Sequence, residues 1–254
     1  NRDASFGPRF DPNLSVFQWD AFLPDNKNYR KATPWVAAKN DPTAIFQTGV
    51  LLSNSVSLDG SSDKGNFRLG FTDVNQTGIL PNSKIQRRTF TFSGSHKLTD
   101  KLTASTKITY TNNESRGRFA TGYDENSILP GIRQWYQTNV DIEDQREAYF
   151  NSRGNASWNL RTSQLTSDNP YTDSPQYWDN PFWTLYENYQ SDGRDRVFGN
   201  IVLNYQVNNW FDLTARVTLD RFDEIREERV NTGSFNQDEY NRYDASFREM
   251  NYDL

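Results

Sequence analysis

The chain has 254 residues, and its 28 Lys or Arg and 33 Asp or Glu are mixed along it for a formal charge of -5, so no basic stripe is offered to a nucleic-acid backbone. Only 34% of the residues are hydrophobic while 15% are aromatic, and with a mean hydropathy of -0.91 this is not the composition of an ordinary soluble globule. The absence of cysteine removes disulfide frameworks, thiolate zinc sites and cysteine nucleophiles, and no apolar run approaches the roughly 18 residues of a membrane helix.

Residues 1–45 are rich in Asp, Asn and Pro and read as a loop region. From there the chain alternates with period two. Val50, Leu52, Val56 and Leu58 form one stripe, giving a strand over 46–58, and Phe67, Leu69 and Phe71 give a second over 66–74. Phe90, Phe92 and Leu98 place a third over 84–98. Leu102, Ala104, Ile108 and Tyr110 share a face with Thr106, opposite Thr103, Ser105, Lys107 and Thr109, and give a fourth over 102–112. After the long segment 113–195, Val197, Ile201, Leu203, Tyr205 and Val207 give a strand over 196–207. Phe211, Leu213, Ala215, Val217 and Leu219, opposed by Asp212, Thr214, Arg216, Thr218 and Asp220, give the sixth over 210–222.

Six strands with one oily and one wet side are what the wall of an antiparallel transmembrane β-barrel requires, because only every second residue need be apolar. The connections 59–65, 99–101 and 208–209 are shorter than 75–83 and 113–195. Barrels carry short periplasmic turns and longer outside loops, so 1–45, the long loop 113–195 and the tail 223–254 are assigned to the extracellular side, with the barrel strands spread over 46–222. Asn208 and Asn209 tolerate positive φ, and Asp59–Gly60 and Lys64–Gly65 supply the glycine of a tight reversal. The segment 113–195 is too long for a normal loop and reads as an exterior functional surface, with room for a further pair of strands. Six strands close no useful barrel, and the two edges of an open sheet would cost on the order of tens of kcal/mol in hydrocarbon, so the wall needs partner strands from elsewhere. With neither an initiator Met nor an apolar signal segment, the sequence reads as a mature or internal piece of a longer protein.

Several words along the chain then carry a family resemblance. Ser5-Phe6-Gly7-Pro8-Arg9, Asn54-Ser55-Val56-Ser57-Leu58, Lys64-Gly65-Asn66-Phe67-Arg68-Leu69, Gly78-Ile79-Leu80-Pro81-Asn82-Ser83, Arg88-Thr89-Phe90, Asp100-Lys101-Leu102, Asn180-Pro181-Phe182-Trp183 and Arg196-Val197-Phe198-Gly199-Asn200 resemble, in order, the SusC/RagA branch of TonB-linked outer-membrane transporters. The resemblance covers about residues 5 to 222. It implies an early section of a barrel of about 22 strands around an N-terminal plug. It further implies import of glycans, peptides or similar nutrients across the outer membrane of a Gram-negative bacterium. The implied partners are a SusD-like lipoprotein, TonB acting through regions absent here, the remainder of the barrel and outer-membrane lipid. A SusC-like structural subunit of a larger outer-membrane secretion or insertion complex is the alternative, and a soluble carbohydrate-binding sandwich or hydrolase a third reading.

No catalytic or metal residues and no cofactor are expected. His96 is the only histidine, and its neighbour Ser95 points to the opposite face of a strand, so the two form no dyad. Arg68, Lys107, Asp212, Arg216 and Asp220 fall on the wet side and are expected to face the lumen, as residues paired with water and one another or as part of a substrate path. Tyr177, Trp178, Phe182, Trp183 and Tyr186 crowd the long loop, where they would pack a small core, meet a protein partner or stack on sugar. Glu143, Asp144, Asp223, Glu224, Glu227 and Glu228 lack metal-loop spacing and read as solvated loop charge.

Overall fold

The computed structural model describes residues 7–120, 122–123, 126–152, 154–161, 174–236 and 239–254; Ser5 and Phe6 of the first family word lie outside them. A two-stranded sheet of β1 (Asp11–Val16) and β2 (Thr33–Trp35) comes first. The main sheet is an antiparallel meander in strict chain order: β3 (Val50–Ser62), β4 (Gly65–Thr77), β5 (Lys84–Lys97), β6 (Leu102–Arg116), β7 (Gln190–Asn208), β8 (Phe211–Val230) and β9 (Glu239–Asp253). The fold is therefore all-β and antiparallel, as the alternation requires. Among the described residues no helix is long and apolar enough to cross a membrane.

The strands outrun their stripes. The region 223–254, expected to be a loop, instead continues β8 to Val230 and returns as β9, paired from Val230↔Glu239 to Arg216↔Asp253. Glu239, Asn241, Arg242 and Asp244 place polar groups on both faces of β9, which erases the period-two signal. Pairing there rests on the ladder and on links such as Arg242 to Glu227 at 3.6 Å.

Two turns also differ from expectation. Gly60 lies inside β3 opposite Phe67, whose ring would sit 2.4 Å from an added Cβ, so this glycine makes room for an aromatic side chain and closes no turn. Asn208 and Asn209 do not take positive φ. The β7–β8 turn has a bulge between Gln206 and Asn208, and Asn208 Oδ1 accepts from the Trp210 N–H at 3.0 Å.

All large excursions gather at one end of the sheet as a cap. The long segment 113–195, expected as a loop with room for two strands, holds the helices Ile142–Ser152 and Pro181–Tyr186. Asp141 Oδ1 accepts from the Glu143 N–H at 2.9 Å and Asn180 Oδ1 from the Phe182 N–H at 2.9 Å, each starting a helix. The first helix buries Ile142, Gln145 and Tyr149 on one side. With Ile45, Ile128, Tyr136, Val140, Phe182, Trp183 and Leu185, its two apolar residues form the main buried cluster, and a smaller one joins Leu23 to Ala156 and Leu160. The cap is tied to the wall at Asn82, whose Nδ2 donates to the Leu185 carbonyl at 2.7 Å, and at Gly117, whose φ of +73° and close approach to the Asn82 carbonyl leave no room for a side chain.

Tyr136 is 2% exposed, and its hydroxyl has no hydrogen-bond partner among the described residues. Burial pushes this phenol well above its ordinary value, aided by Asp141 and Asp144. The folded cap thus holds the proton while the unfolded chain releases it above pH about 10, so stability is intact below that pH and falls as pH rises through it. Tyr136→Phe is expected to remove that alkaline slope in near-UV circular dichroism and to change cap stability at pH 7 by no more than about 1 kcal/mol, since only an unpaired hydroxyl is lost. A slope that survives the substitution would assign it to another group.

Candidate functional site

The register sorts the wall into two faces. On one, Leu58, Leu69, Phe92, Ile108, Gly199, Leu219 and Met250 are aligned across all seven strands. The apolar residues of this face run over nine-residue stretches, Val50–Leu58 on β3, Leu102–Tyr110 on β6 and Phe211–Leu219 on β8. A tilted membrane strand needs about 9–11 residues to cross hydrocarbon. Among the described residues nothing covers them: Val56 is 66% exposed, Leu58 60% and Ile201 55%.

The stripe also slides along the wall. Its cap-side end on β8, Leu219, is in register with its hairpin-side end on β3, Leu58. The stripe has therefore shifted by its own length, roughly 27 Å of strand, across five strand spacings of roughly 24 Å in total. A level belt drawn across strands tilted by about 45° has this slant. Charged groups mark its cap-side limit: Arg88 faces Asp73 at 3.7 Å, and Asp195 accepts from the Tyr110 hydroxyl at 2.6 Å. Just below lie the rings of Phe71, Phe90 and Tyr110, spaced 4.6 and 6.3 Å, while Trp210 projects 84% exposed at a hairpin on the opposite end. Aromatic girdles flank the apolar band of membrane barrels.

The fold is that of a barrel wall. No family model and no curated protein matches the chain. Solved structures do match, among them the RagAB peptide importer in the closed-closed state, at a TM-score of 0.57 and 12% identity over 85% of this chain. The matched part amounts to 23% of that chain, so this chain spans less than a quarter of the relative's length. The likeness supports the antiparallel β-barrel architecture and nothing finer.

Arg68, Lys107, Asp212, Arg216 and Asp220 all lie on the face opposite the stripe. Arg68 lies 3.5 Å from Asp59, and Arg196 grips Asp220 with two bonds of 2.9 and 2.5 Å. His96 pairs with Gly65 and Ala104 on the stripe side, with Ser95 on the other. A groove of about 660 Å³ beside His96, lined by Gly60, Phe67, Gly94, Ala104 and Ile201, opens on the apolar face and therefore away from any lumen.

The aromatic residues of the long segment divide. Phe182 is 3% exposed, Trp183 donates its Nε1–H to Ser234 Oγ at 2.8 Å, and Tyr186 stacks on Tyr149 at 5.6 Å, so these three build the cap. Trp178 lies nearer the surface between Trp135 and Tyr123, and Tyr177, 51% exposed, sits 6.5 Å from Phe235. Of the five, this second pair is the one placed to meet another molecule, beside the 68% exposed ring of Tyr123.

Sequence reasoning missed a cluster on the polar face at the cap end of β7 to β9. Phe222 and Phe247 stack at 5.3 Å, the Arg194 guanidinium covers Phe222 at 4.0 Å, and Glu224, 8% exposed, is shared by Arg194 and Arg226. Asp223, Glu224, Glu227 and Glu228 are thus strand residues and not loop charge, with Arg221, Arg226, Arg242 and Arg118 as respective partners. Glu143 and Asp144 open a helix, where Asp144 meets Lys27 at 2.9 Å and raises the pKa of that ammonium. Beyond residue 222 β8 reads Asp-Glu-Ile-Arg-Glu-Glu-Arg, with charged residues on both faces, so no period-two signal pointed to the cluster. Among the described residues no group of acids and His could hold a metal.

Proposed function

We propose that this chain is a section of the wall, with its extracellular cap, of a SusC-like TonB-dependent transporter in the outer membrane of a Gram-negative bacterium, importing glycans, peptides or similar nutrients and catalysing no reaction. The slanted nine-residue stripe carries the reading, because an uncovered apolar face of that width and tilt has hydrocarbon as its natural solvent. The free edges of β3 and β9 are completed by further strands of the same barrel. The residues Arg68, Lys107, Asp212, Arg216 and Asp220 then line the lumen, and the charged aromatic cluster around Phe222 lies at its outer mouth. A SusD-like lipoprotein would dock over the cap near Tyr177 and Trp178, and TonB would act through other parts of the transporter.

Spin labels test the orientation. In the full transporter reconstituted in vesicles, labels at Leu213 and Val217 are expected to respond to oxygen dissolved in hydrocarbon, and labels at Thr214 and Arg216 to a water-soluble relaxant. The reverse pattern, or water at all four, would remove the membrane wall and the transport function with it.

A further inference from the structure

On the apolar face of β8 and β9, the first residues beyond the stripe towards the cap are Arg221 and Arg248, and they are direct cross-strand partners. Like charges directly opposite one another destabilise a sheet unless something between them carries the opposite sign. The protein supplies only half of that. Arg221 reaches Asp223 at 3.1 Å, on the side away from the stripe. Arg248 has no carboxylate partner among the described residues, and its Nη2 lies 2.9 Å from the Met250 sulfur, a weak acceptor for a guanidinium. Immediately below the pair are Leu219 and Met250, then Val217 and Tyr252. Two guanidiniums thus stand at the head of an exposed apolar track that follows the strands.

We propose that Arg221 and Arg248 clasp the phosphate of a membrane lipid in the cap-side leaflet, with its acyl chains along Leu219, Met250, Val217 and Tyr252. The site rests on the barrel reading, since the track faces lipid only in a membrane wall. Paired guanidiniums match a tetrahedral oxyanion through charge-assisted, fork-shaped hydrogen bonds. The height is right as well: arginine is tolerated at the edge of the belt at little cost, and a headgroup phosphate resides there. Asp195 and Asp223, one row towards the cap, leave the ligand room only on the stripe side of the pair.

Native mass spectrometry of the full transporter in detergent, with phosphatidylglycerol added against diacylglycerol of the same chains, reads the site directly. Phosphatidylglycerol is expected to stay bound where diacylglycerol does not, and the double variant Arg221→Gln/Arg248→Gln to bind it about tenfold or more weakly. Arg87→Gln, on the opposite face, is expected to bind as the parent does. Equal retention of the two lipids, equal binding by the double variant, or an equal loss in Arg87→Gln would each overturn the site. Heat-modifiable gel mobility of every variant reports the folded barrel separately, and the spin-label pattern reports the membrane wall, so loss of the barrel reading is distinguishable from loss of the lipid clasp.

Discussion

Ala215→Arg is expected to block insertion of the wall into vesicles, while Thr214→Arg, one residue earlier, inserts as the parent does. Ala215 is the midpoint of the stripe on β8, paired with Leu203, and every stripe residue around it is apolar. Arginine facing hydrocarbon at mid-depth costs about 2–4 kcal/mol, which lowers the equilibrium constant for insertion by roughly thirty- to a thousandfold. Thr214 points the other way and shares only a hydrogen bond of 3.1 Å with Asn204, so its replacement costs about 1 kcal/mol and leaves the charge in water. Folded fractions from heat-modifiable mobility after dilution into lipid vesicles measure both. Two variants that insert alike would mean that the faces are not solvated differently.

Asn180→Ala is expected to open the cap and leave the wall intact. Asn180 is fully buried; its Oδ1 caps the helix Pro181–Tyr186, and its Nδ2 donates to the carbonyls of Gln145 at 2.9 Å and Ala156 at 2.7 Å. Alanine removes the cap, leaves the Ala156 carbonyl and the Phe182 N–H without the partner Asn180 supplies and takes a second donor from the Gln145 carbonyl, a loss on the order of 2–4 kcal/mol when each orphaned group costs about 1–2. Such a sum approaches the whole stability of a small unit. Amide exchange should therefore speed up in Ile142–Ser152 and Pro181–Tyr186 but not in β4 to β6. Asn180→Asp, which keeps the acceptor and loses the donors, should fall between. Unchanged protection of both helices would show that the cap is held elsewhere.

Where the wall touches two solvents, its strands were legible from the residues. Leu213 and Thr214 differ in kind because their surroundings differ in kind, so alternation marks β3 to β8 in sequence. Past the belt both faces meet water or other polar groups, and the contrast fails. Arg226, Glu227 and Glu228 are as much strand as Val217, yet nothing in their order says so, and β9 was lost for that reason. The cap was harder still. Its helix Ile142–Ser152 buries a Gln beside an Ile and a Tyr, a side too mixed to show a helical period. Whether Trp183 is packed inside and Tyr177 left outside depends on Ser234 and Phe235, some fifty residues further along the chain. The residues expected to face the lumen share one face because parity survives any error at strand ends, whereas the Phe222–Phe247 stack requires a strand the alternation does not announce.

The continuation of β7, β8 and β9 past the belt has a mechanical meaning. Ladder pairing runs from the apolar stripe up to Val230 and Glu239 without a break, so the cap stands on a stiff mast and not on a tether. A push on the cap is transmitted to the staves below, with no hinge to absorb it. If the chain is the transporter wall proposed above, any lever-like opening over the mouth pivots in a partner, and a distance measured between Leu219 and Ile225 stays constant whether or not cargo is present.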